Sequence, residues 1–288
     1  MNNLDLRPLS IGEILDRTFT LYRNYFVLFI GISAIPQLLV LGLSLAQVAV
    51  LMPAGLSTVG GRGGSTPPLS SIAAGASYGL LAFLGLIVTL IALILSQGAT
   101  IMAVSELYLG RTITIGESFR RVRGELGTIF GVMMLNGLAT FVGLLLLIVP
   151  GIYVMCRLIV GIPVALLENL GARTALERSW QLTKDSAGRA FLIFLLYFAL
   201  SMAATMLLAF PFQMAIILVK GNPSLILVFM GLAQVGTFIA NVLVVPVITI
   251  ASSILYYDLR VRKEAFDLQM MMAPLAGPVT GGVPKAIT

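Results

Sequence analysis

The sequence predicts an all-α membrane protein of six transmembrane helices, built as three repeats of an interfacial amphipathic helix followed by a transmembrane hairpin. Three observations carry that prediction. Of the 288 residues, 58% are hydrophobic and 10% charged, too little polar surface to coat a soluble globule of this length. Long charge-free gaps separate Arg23 from Arg62, Arg62 from Glu106, Glu125 from Arg157, Arg189 from Lys220, and Lys220 from Asp258. Each has room for bilayer-crossing helices, which need about 20 apolar residues apiece. Finally, a hydroxyl residue stands three places before a glutamate at the head of three basic amphipathic stretches: Ser10 with Glu13, Thr114 with Glu117, and Thr174 with Glu177. In such a capping box the hydroxyl accepts a backbone N–H while the glutamate reaches back, which starts a helix.

The elements follow in order. The first ten residues hold Asp5 and Arg7 without an apolar core, which argues against a cleaved secretory signal. From Ile11 to Phe26 the 3.6 period puts Ile11, Ile14, Leu15, Tyr22, Tyr25 and Phe26 on one face, so this helix is expected to lie along the interface. Residues 27–52 form the first span, with Pro36 a possible kink. The stretch from Pro53 to Ser71 is rich in Gly, Ser, Thr and Pro and reads as a solvent loop. Its Gly60–Gly64 run has neither a preceding strand nor a P-loop lysine, so it is no phosphate cradle. The second span, about 72–105, is longer than the hydrocarbon core requires; it tilts, projects into the cytosol, or breaks near Ser96-Gln97-Gly98.

The second unit begins at Thr114, with Ile115, Phe119, Val122, Leu126, Ile129 and Phe130 along one face. Spans at about 128–148 and 152–168 follow, with Pro150-Gly151 as the turn between them. The third unit begins at Thr174; Leu176, Ser179, Trp180 and Thr183 form a weakly apolar face. Its spans, about 190–218 and 223–256, meet at Lys220-Gly221-Asn222-Pro223, with Pro211 and Pro246 inside them. Residues 1–268 are thus one six-span domain, its repeats at about 10–109, 114–170 and 174–262. The unpatterned Met, Pro, Gly and Ala of residues 269–288 read as a disordered tail.

Offsets support the repeat. Adding 104 carries Ser10, Ile11, Gly12, Glu13, Arg17 and Phe26 onto Thr114, Ile115, Gly116, Glu117, Arg121 and Phe130, and adding 60 to Thr114 and Glu117 gives Thr174 and Glu177. Each unit's second span closes with an acid and then an arginine: Glu106 and Arg111, Glu168 and Arg173, Asp258 and Arg260. Of the 18 basic residues, 15 fall on the side of the termini and amphipathic helices; Arg62 and Lys220 fall opposite, and Arg157 is inside a span. By the positive-inside rule both termini are expected in the cytosol, in a bacterial inner membrane.

The strings Gly12-Glu13-Ile14-Leu15-Asp16-Arg17, Arg178-Ser179-Trp180-Gln181-Leu182-Thr183-Lys184, and Tyr256-Tyr257-Asp258-Leu259-Arg260 through Lys263-Glu264 resemble a bacterial family of six-span proteins named for the membrane domain of glycerophosphoryl diester phosphodiesterases. The resemblance runs from about residue 5 to 268 and implies a polytopic membrane domain, found alone or fused to a soluble phosphodiesterase barrel. Catalysis in the fused members is implied to come from the barrel's histidines and metal-binding carboxylates. This chain has no histidine, hence neither the commonest general base nor imidazole ligands, and neither cofactor nor metal is expected. The one cysteine, Cys156, lies in an apolar run and reads as a small hydrophobe.

Three groups of residues remain as candidate sites. Arg120, Arg121, Arg123, Arg173, Arg178, Lys184 and Arg189 make a basic collar that either sets topology and snorkels or binds anionic headgroups, at roughly 1 kcal/mol per cation. Glu106, Glu168 and Asp258, with Asp16, Arg17 and Arg260 nearby, are either ion pairs between repeats or a carboxylate ring for a cation or proton. Inside the spans, Arg157 either snorkels to the outer turn or bonds inward to Asn136, Gln234 or Asn241; polar residues at such depth most often join helices. Nucleic acid is excluded, because the basic residues interleave with apolar faces committed to the membrane. The composite reading is a non-enzymatic scaffold or lipid-associated module whose partners are membrane lipids. The alternatives are a transporter or channel for a small amphiphilic or lipid-derived substrate, and a membrane domain associated with glycerophosphodiester metabolism.

Overall fold

The computed structural model describes residues 9–60, 69–219 and 222–272, which are helical with no strand among them. α1 (Ile11–Asn24) opens with its capping box formed: the Glu13 N–H donates to Ser10 Oγ at 3.3 Å, and the Ser10 N–H to Glu13 Oε2 at 2.7 Å. Tyr25 interrupts the helix, and α2 (Phe26–Gly60) leaves at once. α2 continues through Pro36 and on to Gly60. Residues 53–60 and 69–71 of the expected solvent loop are therefore helical, and residues 61–68, with most of the glycine run, lie outside the described residues.

α3 (Leu69–Tyr108) is unbroken. Its 40 residues extend about 60 Å, twice the hydrocarbon core. The Ser96-Gln97-Gly98 triplet that suggested a break is instead partly a packing surface. Ser96 donates to Ser33 of α2 at 3.4 Å, and a Cβ on Gly98 would come within 2.7 Å of Val122 and 2.8 Å of Ile129. Small residues let helices meet closely in lipid, where no hydrophobic force drives them together.

α4 (Ile115–Val122) also starts with a formed box, Glu117 N–H to Thr114 Oγ1 at 3.3 Å and Thr114 N–H to Glu117 Oε2 at 3.0 Å. A 3₁₀ turn, Arg123–Glu125, leads into α5 (Leu126–Leu146). The hairpin then turns at Leu147, a single extended residue (φ −167°, ψ 155°), and not at Pro150-Gly151, which lie in the first turn of α6 (Ile148–Arg157). Proline is tolerated there because its missing N–H would have had no helical partner. Gly151 serves the close approach of α6 to α5: a Cβ on Gly143 would lie 2.9 Å from its Cα. The expected 152–168 span is thus two pieces, α6 and α7 (Gly161–Leu167).

The third capping box does not form. α8 (Ala172–Leu182) begins at Gly171, without a side-chain cap. Thr174 is already inside the helix, where it cannot take the extended backbone a cap requires, and Glu177 instead accepts from Arg173 at 3.1 Å. The expected 190–218 span is likewise divided, into α9 (Ala187–Leu208) and α10 (Phe210–Leu218), with Pro211 in the first turn of α10. At that break a Cβ on Gly236 would overlap the Leu208 carbonyl. Lys220 and Gly221 of the expected third turn lie outside the described residues. α11 (Pro223–Met272) runs through Pro246 and past residue 269, so four residues of the expected tail are helical; 273–288 lie outside the described residues.

Among the described residues six stretches are long and apolar enough to cross a bilayer: Phe26–Ala49, Gly79–Tyr108, Ile115–Leu146, Ile148–Leu167, Ala187–Leu208 and Pro223–Lys263. The last is the centre of the bundle, 67% of its most apolar window being buried against 6% for Ala187–Leu208. Ile250, Ile254, Leu255, Tyr256 and Leu259 of α11 are fully enclosed. They pack in one core with Ile14, Phe29, Ile32, Ile101, Ile129, Leu182 and Ile193.

Candidate functional site

Charged side chains gather at one end of the bundle, where α3, α7 and the charged part of α11 meet the amphipathic helices. Two acids sit at helix C-termini. Glu106 lies in the last turn of α3, closed by Gly110 at φ 74° with the Arg111 N–H bonded to the Glu106 carbonyl at 3.0 Å. Glu168 caps α7, closed by Asn169 at φ 51° with the Leu170 N–H bonded to the Ala165 carbonyl at 3.1 Å. Glycine and asparagine are the residues that take this left-handed position most readily. A carboxylate at a helix C-terminus opposes the macrodipole and requires a cation beside it.

The cations come from the next amphipathic helix. Glu106 pairs with Arg121 of α4, and more distantly with Arg111 at 3.7 Å. Glu168 accepts from Arg178 Nε of α8 at 3.3 Å and from Tyr256 Oη at 3.0 Å. Asp258, its side chain fully enclosed, accepts from Arg189 at 3.1 Å and from Arg262 at 2.8 Å. Its other oxygen takes the Leu9 N–H at 2.6 Å, just before α1. Among the described residues no three His, Cys, Asp or Glu come together in a metal-capable group.

Arg17, the first-unit counterpart of Arg121, donates to Tyr108 Oη at 3.3 Å rather than to an acid. Asp16 is exposed without a partner among the described residues, and Arg260 donates to Tyr256 Oη at 3.3 Å. The tyrosines extend the network: Tyr108 stacks on Tyr257 with ring centres 4.8 Å apart, and Tyr257 donates to Ser105 at 3.1 Å. Farther along α1, Tyr22 donates to the Leu243 carbonyl at 2.9 Å, and burial pushes its phenol up to about 12. It therefore stays a donor at any ordinary pH.

The seven collar cations divide. Arg121, Arg178 and Arg189 are held by the acids above, and Arg173 by Glu177 on its own helix. Arg120, Arg123 and Lys184 are exposed, and their side chains have no hydrogen bond or ion pair among the described residues.

Arg157 follows neither sequence expectation. It is 3% exposed and turns to the C-terminus of α8, where its guanidinium donates to the carbonyls of Trp180 and Lys184 and to Tyr153 Oη. It also lies over the Trp180 ring at 4.4 Å and the Tyr153 ring at 5.6 Å; Nε alone has no partner. The cause is the end of α6. Once that helix stops at Arg157, its carbonyl lacks a helical donor, and Ser179 and Thr183 of α8 supply hydroxyls at 3.0 and 2.8 Å. A cation at a helix C-terminus satisfies orphan carbonyls and matches the dipole. Asn136, Gln234 and Asn241 do not bond to it: Asn136 accepts from Thr140 of its own helix at 3.3 Å, Gln234 is half-buried, and Asn241 is exposed.

Sequence reasoning missed Tyr256, Tyr257, Arg262 and the hydroxyl pair on α8. The signal for that pair was present, since Ser179 and Thr183 stand four apart on the face otherwise called weakly apolar.

These features define a class, an all-helical, six-span integral membrane protein with a charged, ion-paired end. Residues 128–270 match the family described as the membrane domain of glycerophosphoryl diester phosphodiesterase. Over that stretch, just under half of the chain and running from α5 into α11, the resemblance read from the motifs holds; α1 to α4 lie outside the matched region. Searches of the curated proteins and of the solved structures gave no match.

Proposed function

We propose that this protein is a non-enzymatic, lipid-associated module of the bacterial inner membrane, with its charged end in the cytosol. The observation that carries the reading is the division of the collar: Arg120, Arg123 and Lys184 are exposed and make no ion pair or hydrogen bond among the described residues, Arg120 feeling the Glu117 carboxylate of its own helix only at longer range. Trp180, 40% exposed and one helical turn before Lys184 in the chain, is an amphipathic anchor of the kind that settles at headgroup level. The three acids that an enzyme or proton carrier would use are engaged by arginine and tyrosine. The amphipathic helices α4 and α8, each carrying two arginines against one glutamate, support the same reading.

The test is flotation of the purified chain's nanodiscs or native mass spectrometry from membranes, reading copurified phosphatidylglycerol. Replacing Arg120, Arg123 and Lys184 together with Gln is expected to lower anionic lipid retention about 5-fold per cation, the equivalent of roughly 1 kcal/mol each. Replacing Arg173, already paired on its own helix, is expected to change it little. Equal losses from both sets would sink the proposal, as would labelling of a Gly61→Cys residue only after permeabilisation.

A further inference from the structure

A half-open cavity lies where helix continuity fails, its wall mostly apolar (Ile101, Leu158, Ile162, Phe194 and Ile248) with a few polar side chains set into it. It has a volume of about 170 Å³ and is lined by Gln97 of α3, Asn136 of α5, Ile159 and Pro163 at the break between α6 and α7, and Thr249 and Ser252 of α11. Counting back from Glu106, Glu125, Glu168 and Asp258, these residues stand five to eleven positions into their helices. At 1.5 Å per residue that is about 8–17 Å below the charged end, within the nearer half and up to the midplane of a hydrocarbon layer about 30 Å thick.

Polar groups at that depth need partners, and these are short of them. The Gln97 amide has no hydrogen bond among the described residues, and Asn136 has only the 3.3 Å bond from Thr140, which leaves its amide N–H groups unused. Thr249 and Ser252 spend their protons on the α11 backbone, at 3.2 Å to Val245 and 3.0 Å to Thr249, so each retains acceptor capacity. Pro163 has no N–H, which deprives the Ile159 carbonyl of its i+4 donor. The two amides therefore do not act as glue between helices, the usual role of such residues.

From this geometry we infer that the cavity binds the uncharged head of a neutral lipid, one bearing hydroxyl and ester groups as a diacylglycerol does. Amide donors and hydroxyl acceptors match a free hydroxyl and an ester carbonyl. No charged side chain lines the cavity, so an ion or phosphate placed there would lose its hydration without a counter-charge. This depth admits a ligand that arrives through the acyl layer, whereas a free polyol would have to cross it. The site is separate from the collar and does not depend on it.

The test uses the full chain in phosphatidylcholine nanodiscs with a photoactivatable diacylglycerol, mapping the labelled peptides. Labelling is expected to concentrate on α3 and α11 near Gln97 and Ser252, and to fall at least 5-fold in the Gln97→Leu, Asn136→Leu double variant. Ile162→Phe, which fills the cavity while keeping both amides, gives the same loss and serves if the double variant does not fold. Gln234→Leu, outside the cavity, leaves labelling unchanged. Three results would each overturn the inference: labelling spread evenly over the spans, labelling indifferent to both cavity variants, as for water alone, or displacement by free glycerol as effective as by unlabelled diacylglycerol. Loss of phosphatidylglycerol from the collar variant leaves this labelling intact, so the two proposals fail separately.

Discussion

At the scale of single residues, Arg157 shows how a buried charge without an acid is accommodated. Its guanidinium is distributed over two carbonyls, a phenol and two aromatic faces, and the helix dipole of α8 supplies the negative end. Lysine cannot reproduce that fork and stack. Arg157→Lys is expected to destabilise the protein by about 1–3 kcal/mol, the usual worth of hydrogen bonds to a charged group. Trp180 is the single tryptophan of the chain, so its emission reports directly on the contact. Arg157→Lys and Arg157→Leu should both shift the Trp180 spectrum in detergent; an unchanged spectrum would mean that the guanidinium does not rest on the indole. The sequence singled out Arg157 by its isolation within an apolar run, yet placed it wrongly. Charge gaps reveal depth in a continuous helix, and α6 is not continuous with α7.

At the scale of elements, the capping boxes show what a local motif does and does not determine. In Ser10-Glu13 and Thr114-Glu117 the hydroxyl residue is itself extended, and both reciprocal bonds form. Thr174-Glu177 has the same letters, but the α7 turn through Asn169 delivers the chain to Gly171 already extended, and the helix starts before the motif. Thr114→Ala is therefore expected to cost about 1 kcal/mol, measured by thermal unfolding in detergent, while Thr174→Ala, at an exposed position inside α8, is expected to be neutral or to stabilise by a few tenths, because alanine has the higher helix propensity. Equal costs would show that the third helix starts where its motif suggested. The long spans were legible because apolar length needs no tertiary information. The breaks at Leu147, at Leu158–Val160 and at Ala209 were not, because they lie where Gly143 and Gly151, Gly161, and Gly236 respectively meet neighbouring helices at close range.

At the scale of the whole molecule, acid-to-arginine pairs join α3 to α4 and α7 to α8. Glu106 reaches α4 and Glu168 reaches α8, and a strict repeat would send Asp258 to Arg17 of α1. Asp258 instead grips the backbone at Leu9 together with Arg189 and Arg262, and Arg262 also donates to the Leu9 carbonyl. One side chain thus joins the described N-terminal residues, the head of α9 and the end of α11. The carboxylates at the ends of units were legible as a recurring acid-then-arginine pattern, but their partners were not, since pairing depends on which helices the central α11 brings together. Removing one member of a buried pair leaves the other uncompensated, typically a loss of about 3–5 kcal/mol. Arg189 and Arg262 are each about 30% exposed, and solvent recovers part of that, so Asp258→Asn is expected to cost about 2–3 kcal/mol. Because the carboxylate also holds the Leu9 N–H, the loss should appear first as faster amide exchange across residues 9–14, ahead of any change in α3 or α5. Arg17→Gln should leave that exchange unchanged, since among the described residues the Arg17 side chain bonds the Tyr108 hydroxyl and no acid. If instead Arg17→Gln frees the N-terminal segment and Asp258→Asn does not, the ring closes through arginine as in the other two units, and the clasp at Leu9 is incidental.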